Sequence, residues 1–182
     1  MLKIVIPETE FFNETTQEFI NTKGCSIVLE HSLVSISKWE AKWKKPFLNK
    51  SRKKTLEETI DYVRCMTITQ NVDPNVYYAL TKSQYDLISE YINDEMTASW
   101  FNEKHLTKTT NSEAVTSDLI YYWMVSYGIP FECQKWHLNR LLTLIRICNV
   151  KNQGEKKMSK KDIFSQQKML NDMRRLRIGS KG

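Results

Sequence analysis

Most of the concentrated apolar surface of the chain lies in SEAVTSDLIYYWMVSYGIPFECQKWHLNRLLTLIRICNV (residues 112–150). Apolar residues recur there at helical spacing on both sides of a short corner, which predicts two helices joined as a hairpin. The first stripe consists of Val115, Leu119, Trp123 and Tyr127, with Ile120 and Met124 beside it. The second stripe consists of Leu138, Leu141, Leu142, Ile145 and Cys148, widened by Leu144 and Ile147.

The ends of this hairpin are marked by residues that start and stop helices. Asn111 or Ser112 can cap the first helix, because a short polar side chain accepts a hydrogen bond from a free backbone N–H of the first turn. Gly128 can end that helix in the left-handed conformation, and Pro130 keeps the next residues out of it. The second helix should therefore begin near Phe131, with the two helices side by side.

Four further helix starts precede the hairpin. Ser37 with Glu40, and Thr55 with Glu58, have the spacing of a capping box. Asp73 followed by Pro74 is a second kind of start, because the proline sets the first helical φ without losing a needed N–H. The remaining helix spans residues 81–93, with an apolar face that consists of Leu87, Ile88, Tyr91 and Ile92.

Strand signals are confined to the N-terminal part. Leu2 to Ile6 is a short β-prone run that ends at Pro7, and residues 26–30 alternate so that Ile27 and Leu29 face one way. We expect a mainly α fold, a compact domain of five to seven helices around the C-terminal hairpin with one short N-terminal strand pair. The predicted organisation is an N-terminal extension (1–24), a helical core domain (25–150) and a basic C-terminal tail with a short helix (151–182).

Composition is typical of a soluble protein without a membrane span. Of 182 residues, 41% are hydrophobic and 26% charged, and no apolar run approaches the ~18 residues that a spanning helix needs. The N-terminal run is too short for a secretory signal, which predicts a cytoplasmic location. The net charge of +6 is concentrated in the tail, where ten Lys or Arg face three acids in residues 151–182. Its candidate binding residues are Lys156, Lys157, Lys160, Lys161, Arg174, Arg175 and Arg177.

Residue types that carry catalysis or bind metals do not cluster in the sequence. Cys133 and His137 lie four apart, which is half of a zinc site, but no other close Cys/His pair completes it. The four cysteines form no CxxC pair and are read as free thiols. Adjacent acids such as Glu57 and Glu58 would point in different directions on a helix. We therefore expect no enzyme activity, no cofactor and no metal.

Aromatic residues beside lysines are the strongest sign of a binding surface. Trp39 and Trp43 lie four apart and are flanked by four lysines, so they fit either the edge of the core or an exposed interface. The basic tail can attract nucleic-acid phosphates, but no aromatic residue lies among its arginines and no DNA- or RNA-binding signature accompanies it. Protein docking or solvation is therefore favoured for the tail, and nucleic acid is the less favoured partner.

Three segments resemble tail assembly chaperones of long-tailed bacteriophages. They are SLVSISKWEAKWKKPF (32–47), YVRCMTITQNVDPNVYYAL (62–80) and LIYYWMVSYGIPFECQKWHLNRLLTLIRICNVKN (119–152), and KKMSKKDIF (156–164) extends the likeness. WHLNRLL is its most specific part. The resemblance implies a protein of the bacterial host cytoplasm that keeps the tape measure protein soluble while the tail tube assembles, and that is absent from the finished particle.

A helix-in-groove contact with the tape measure protein would need an aromatic and basic surface. We expect this partner-binding surface to consist of Trp39, Trp43, Trp136, His137 and Arg140. The tail tube protein is a second candidate partner, and the sequence leaves open whether the chain forms a homo-oligomer. Two alternatives stand beside the chaperone: a structural virion protein of the tail or connector, and a nucleic-acid-binding protein that uses the basic tail.

Overall fold

The computed structural model describes residues 1–13, 17–49, 53–99 and 114–152. Residues 1–146 form one compact unit. Of a second unit, residues 147–182, the structure describes only 147–152, which are the last residues of a helix. The predicted helix of the basic tail lies outside the described residues.

Helices make up most of the described chain. The described residues form five α-helices, α1 (Leu33–Trp43), α2 (Leu56–Met66), α3 (Lys82–Asn93), α4 (Ser117–Ser126) and α5 (Leu138–Asn152). The same residues contain two 3₁₀ helices, Pro74–Ala79 and Phe131–Lys135, and four strands, β1 (Leu2–Ile6), β2 (Thr9–Asn13), β3 (Glu18–Thr22) and β4 (Cys25–Leu29). The expectation of a mainly helical chain is confirmed only in part, because the described residues also contain two antiparallel strand pairs where we expected one.

Strands β1 and β4 form an antiparallel pair in which Ile4 lies opposite Ile27. Ile4, Ile6, Ile27 and Leu29 are buried, because alternate residues of both strands face the core. Residues 2–6 therefore belong to the core, and the predicted separation of an N-terminal extension is corrected for them. The backbone of β4 is also bonded to the segment that follows α2, because the Ile68 N–H donates to the Val28 carbonyl.

Strands β2 and β3 form a second antiparallel hairpin within the predicted extension. The buried Thr22 ties its two strands together, because its hydroxyl donates to the Thr9 carbonyl at 3.0 Å. Strand β3 contacts the 3₁₀ helix Pro74–Ala79. The hairpin is therefore held against the body of the domain.

The local helix starts are partly as predicted. The capping box of Thr55 and Glu58 opens α2, as the spacing predicts, and Thr81 caps α3. Asp73 caps the segment after it, although that segment is a 3₁₀ helix. The prediction at Ser37 is wrong: α1 begins one turn earlier, capped by Ser32, because Leu33 and Ile36 are fully buried and extend the apolar face.

The C-terminal hairpin differs more from its prediction. Helix α4 is capped by Thr116, and the residues buried on it are Ser117, Ile120 and Met124. The stripe through Leu119 and Trp123 is therefore displaced by one residue from the true core face. Gly128 does end the turn in the left-handed region, with φ of +63°.

The second helix starts at Leu138 instead of near Phe131, where a 3₁₀ helix intervenes. The Leu138 N–H donates to the His31 carbonyl at 2.7 Å, which ties the beginning of α5 to the segment before α1. Helix α4 packs mainly on α1, and no comparably extensive contact joins α4 to α5 in the described structure. The fold is consequently organised around α1, which contacts α2, α4 and the 3₁₀ helix Phe131–Lys135.

The position of the buried face of α4 can be tested by comparing neighbouring residues. We expect Met124→Ala to lower the free energy of unfolding by about 2–5 kcal/mol, because it removes a fully buried side chain and leaves a cavity. Val125→Ala changes a side chain that is 63% exposed and should alter it by less than about 0.5 kcal/mol. Urea denaturation followed by circular dichroism measures both. Equal losses for the two variants would contradict this burial pattern.

Candidate protein-binding surface

Trp39 is part of the core and does not belong to a binding surface. Its side chain is only 2% exposed, and its indole N–H donates to the Glu58 carbonyl of α2 at 2.8 Å. Its ring meets that of Phe47 edge-on at 5.1 Å between centroids. The prediction of Trp39 as a partner-binding residue is therefore corrected: its side chain is buried in the contact between α1 and α2, where its indole N–H has a hydrogen-bond partner.

Trp43 is half-buried and its polar atom is already engaged. Its indole N–H donates to the Asp61 carboxylate at 2.9 Å, and its ring stacks on that of Trp39 at 6.1 Å between centroids. Two of the flanking lysines lie over the Trp43 ring, with Lys42 Nζ at 5.7 Å and Lys45 Nζ at 5.3 Å. Trp43 is thus partly accessible, but its neighbours mainly join α1 to α2.

These lysines are paired with acids of α2. Lys42 Nζ contacts Asp61, and Lys45 Nζ lies 2.8 Å from Glu58 Oε1. Glu58 is almost fully buried, and its other carboxylate oxygen accepts the Thr55 N–H of the capping box. A buried carboxylate needs such partners, since an unpaired charge there would be strongly destabilising. The lysine cluster therefore holds α1 on α2.

The WHLNRLL stretch is mainly a structural clasp between α5 and α3. His137 is buried, and its Nε2–H donates to the Tyr91 carbonyl at 3.0 Å. Asn139 donates to the carbonyls of Ile92 and Asp94, so it caps the otherwise free end of α3. The prediction of His137 as a surface residue is corrected by this burial.

Trp136 and Arg140 are the members of this stretch that reach solvent. The Arg140 guanidinium lies 4.4 Å from the centroid of the Trp136 ring, which is cation–π distance. Trp136 is half-buried and Arg140 exposed, and the exposed Lys135 precedes them. Trp136 and Arg140 therefore form an aromatic and cationic pair that reaches solvent, and their role in binding stays a prediction.

Three exposed apolar residues lie outside the predicted partner-binding surface. We call them the α4 corner patch: Tyr122, Val125 and Phe131, which are 65%, 63% and 54% exposed. Phe131 lies against Tyr121, with 6.4 Å between ring centroids, which brings it beside α4. The predicted apolar stripe of this helix already leaves Tyr122 and Val125 on the other side.

A buried polar network lies beside His137. His31 Nδ1 hydrogen-bonds with the Tyr62 hydroxyl, and the rings of His31 and His137 meet at 5.1 Å between centroids. The Tyr91 hydroxyl donates to Glu30 at 2.7 Å. Burial, with smaller contributions from His137 and Lys54, lowers the pKa of His31 to about 3. Burial also raises the pKa of Tyr62, so this network is uncharged at its His31 and Tyr62 members at neutral pH.

The described part of the chain offers little that resembles a catalytic or metal site. Within it, no three His, Cys, Asp or Glu side chains converge as a metal would require. An open groove of about 500 Å³ lies between α1 and the start of α4, but the Glu40 carboxylate in it already accepts hydrogen bonds from Phe47 N–H and from the Ser117 N–H and hydroxyl. All four cysteines are free thiols, and only Cys133 is buried.

The predicted tail residues from Lys156 to Arg177 lie outside the described residues. Among the helices that are described, none combines the length and apolarity needed to cross a membrane. Comparisons with models of protein families, with curated proteins and with solved structures each return no match.

The buried His31 predicts that acid destabilises the fold. His31 has a pKa of about 3 when folded and about 6.5 when unfolded, so the unfolded chain binds the extra proton between these values. The contribution of the neutral His31 to the stability of the fold is complete above pH 6.5. It is lost as the pH falls toward 3, at up to about 1.4 kcal/mol per pH unit. We expect this slope in urea denaturation between pH 7.5 and 5.

The matched variant is His31→Gln, which retains a polar side chain and removes the titration. Its stability at neutral pH will be lower than that of the wild type. Its stability should fall less steeply with acid, because the variant takes up about one proton fewer on unfolding. An unchanged slope in this variant would show that other groups cause the acid sensitivity.

Proposed function

We propose that this chain is a tail assembly chaperone of a long-tailed bacteriophage, which binds the tape measure protein in the host cytoplasm and keeps it soluble during tail tube assembly. The proposal joins the resemblance of segments 32–47, 62–80 and 119–152 to one structural observation. That observation is the α4 corner patch, which exposes three large apolar side chains within ten residues of a folded domain. Exposed apolar clusters of this kind mark protein-binding sites.

The chemistry of this surface suits an amphipathic helix. An apolar helix stripe can cover Tyr122, Val125 and Phe131, as in helix-in-groove recognition. The cations Lys135 and Arg140, with the Trp136 ring, follow Phe131 closely in the chain and would favour acidic residues beside that stripe. A tape measure protein with unpaired heptad faces before assembly would present such helices.

The proposed contact predicts which substitutions weaken capture of the tape measure protein. The double variant Tyr122→Ser/Phe131→Ser should reduce co-purification of co-expressed tape measure protein by about tenfold or more, because central aromatic residues dominate binding energy at interfaces. Arg140→Ala should weaken capture less and make it less dependent on salt. Trp39 is left intact in this series, since its truncation would open the core.

The control is Leu56→Ser/Leu87→Ser, which removes two exposed apolar side chains from α2 and α3. Both double variants should unfold at the temperature of the wild type, and the control should retain capture. Undiminished capture by the folded Tyr122→Ser/Phe131→Ser variant would refute the assigned surface. Mass spectrometry of purified particles tests the role itself: a chaperone should be missing, whereas a stoichiometric subunit would mean a structural virion protein.

A further inference from the structure

A second surface is formed by the β2–β3 hairpin, which the chaperone proposal does not use. Phe12 of β2 lies directly opposite Phe19 of β3 in the antiparallel register, and their ring centroids are 5.1 Å apart. The two side chains are 49% and 71% exposed. The pair therefore presents two aromatic rings to solvent.

The other face of the hairpin is turned inward. Phe11 and Ile20, the neighbouring register pair, are half-buried, and Thr22 is fully buried. Because side chains alternate between the faces of a strand, this burial fixes Phe12 and Phe19 outward. Phe12 and Phe19 are thus exposed because the opposite face of the hairpin packs against the domain.

Strand β2 also has a backbone edge to which no described strand is bonded. β2 pairs only with β3 among the described strands, and β3 is the strand that contacts the 3₁₀ helix Pro74–Ala79. An edge of this kind presents alternating N–H and C=O groups that an extended segment can bond. Backbone bonding at β2 and side-chain contact with the Phe pair are compatible, because the ligand's alternate side chains would lie on the same face as Phe12.

The charge beside this edge selects the partner. Glu8 and Glu10 are exposed beside β2, and residues 8–13 contain no Lys or Arg. A second copy of the hairpin would bring these acids against like charges, which disfavours pairing with itself. A basic segment is attracted to them, and at physiological salt this attraction acts only within about 8 Å.

We propose that the β2 edge binds an extended segment of a partner protein in which Lys or Arg alternates with apolar residues. The apolar side chains cover Phe12 and Phe19, the backbone extends the β2–β3 sheet by one strand, and the cations meet Glu8 and Glu10.

A labelled ten-residue peptide of alternating Lys and Val tests the proposal on the full-length protein by fluorescence anisotropy. We expect it to bind at least tenfold more tightly than the matching Glu/Val peptide, and more weakly in 0.5 M NaCl. The same Lys/Val peptide with alternate backbone nitrogens methylated should lose binding, because it can no longer donate to the β2 edge.

The protein variants separate this site from general attraction. Phe12→Ser/Phe19→Ser and Glu8→Lys/Glu10→Lys should each weaken the Lys/Val peptide at least tenfold at an unchanged melting temperature. The control Leu56→Ser, exposed on α2, should bind as the wild type does. Absence of binding, equal binding of the acidic peptide, or binding that survives the Phe12→Ser/Phe19→Ser change would each overturn the proposal. Concentration-dependent dimers abolished by that change would instead assign the edge to a second copy.

Discussion

Helix α1 contacts α2, α4 and the 3₁₀ helix Phe131–Lys135, so the polar atoms on its packed faces need partners in these neighbours. The Trp39 indole donates to the Glu58 carbonyl of α2, and the Ser35 hydroxyl donates to the Glu30 carbonyl at 2.9 Å. Glu40 accepts from Ser117 at the start of α4. Because an unpaired buried polar group costs about 1–3 kcal/mol, these bonds specify where α2, α4 and the end of β4 lie against α1.

The same constraint explains why the tryptophans and lysines of α1 divide as they do. Trp39 faces α2 and is covered, while Trp43, one turn later, lies at the rim of the same contact. Lys42 and Lys45 bridge to Asp61 and Glu58 at that rim. A cluster that resembles a basic aromatic interface in sequence therefore serves to satisfy two buried or nearly buried carboxylates.

Features that depend on neighbours in sequence were predictable, and features that depend on contacts across the fold were not. Thr55 with Glu58 could be read as a cap because both hydrogen bonds lie within one helical turn. The first helix of the hairpin was predicted to begin at Asn111 or Ser112, because Thr116 could not be distinguished from other polar caps without knowing that Glu40 bonds Ser117. The roles of His137 and Asn139 could not be predicted either, because their partners are distant in sequence. His137 bonds a carbonyl 46 residues away, and Asn139 bonds carbonyls 47 and 45 residues away.

The division within WHLNRLL bears on what a sequence resemblance can carry. His137, Leu138, Asn139 and Leu141 are occupied in joining α5 to α3 and to the core, so their spacing is required by this fold whatever the protein binds. In the described structure, the side chains of Trp136 and Arg140 stack on one another and do not join α5 to α3. Similarity in the first group therefore speaks for a common architecture, and a common partner has to be argued from the second group together with the exposed corner of α4. Exposed side chains such as Arg140, Tyr122 and Val125 can change with little effect on the core, so these are positions where proteins of one fold can differ in what they bind.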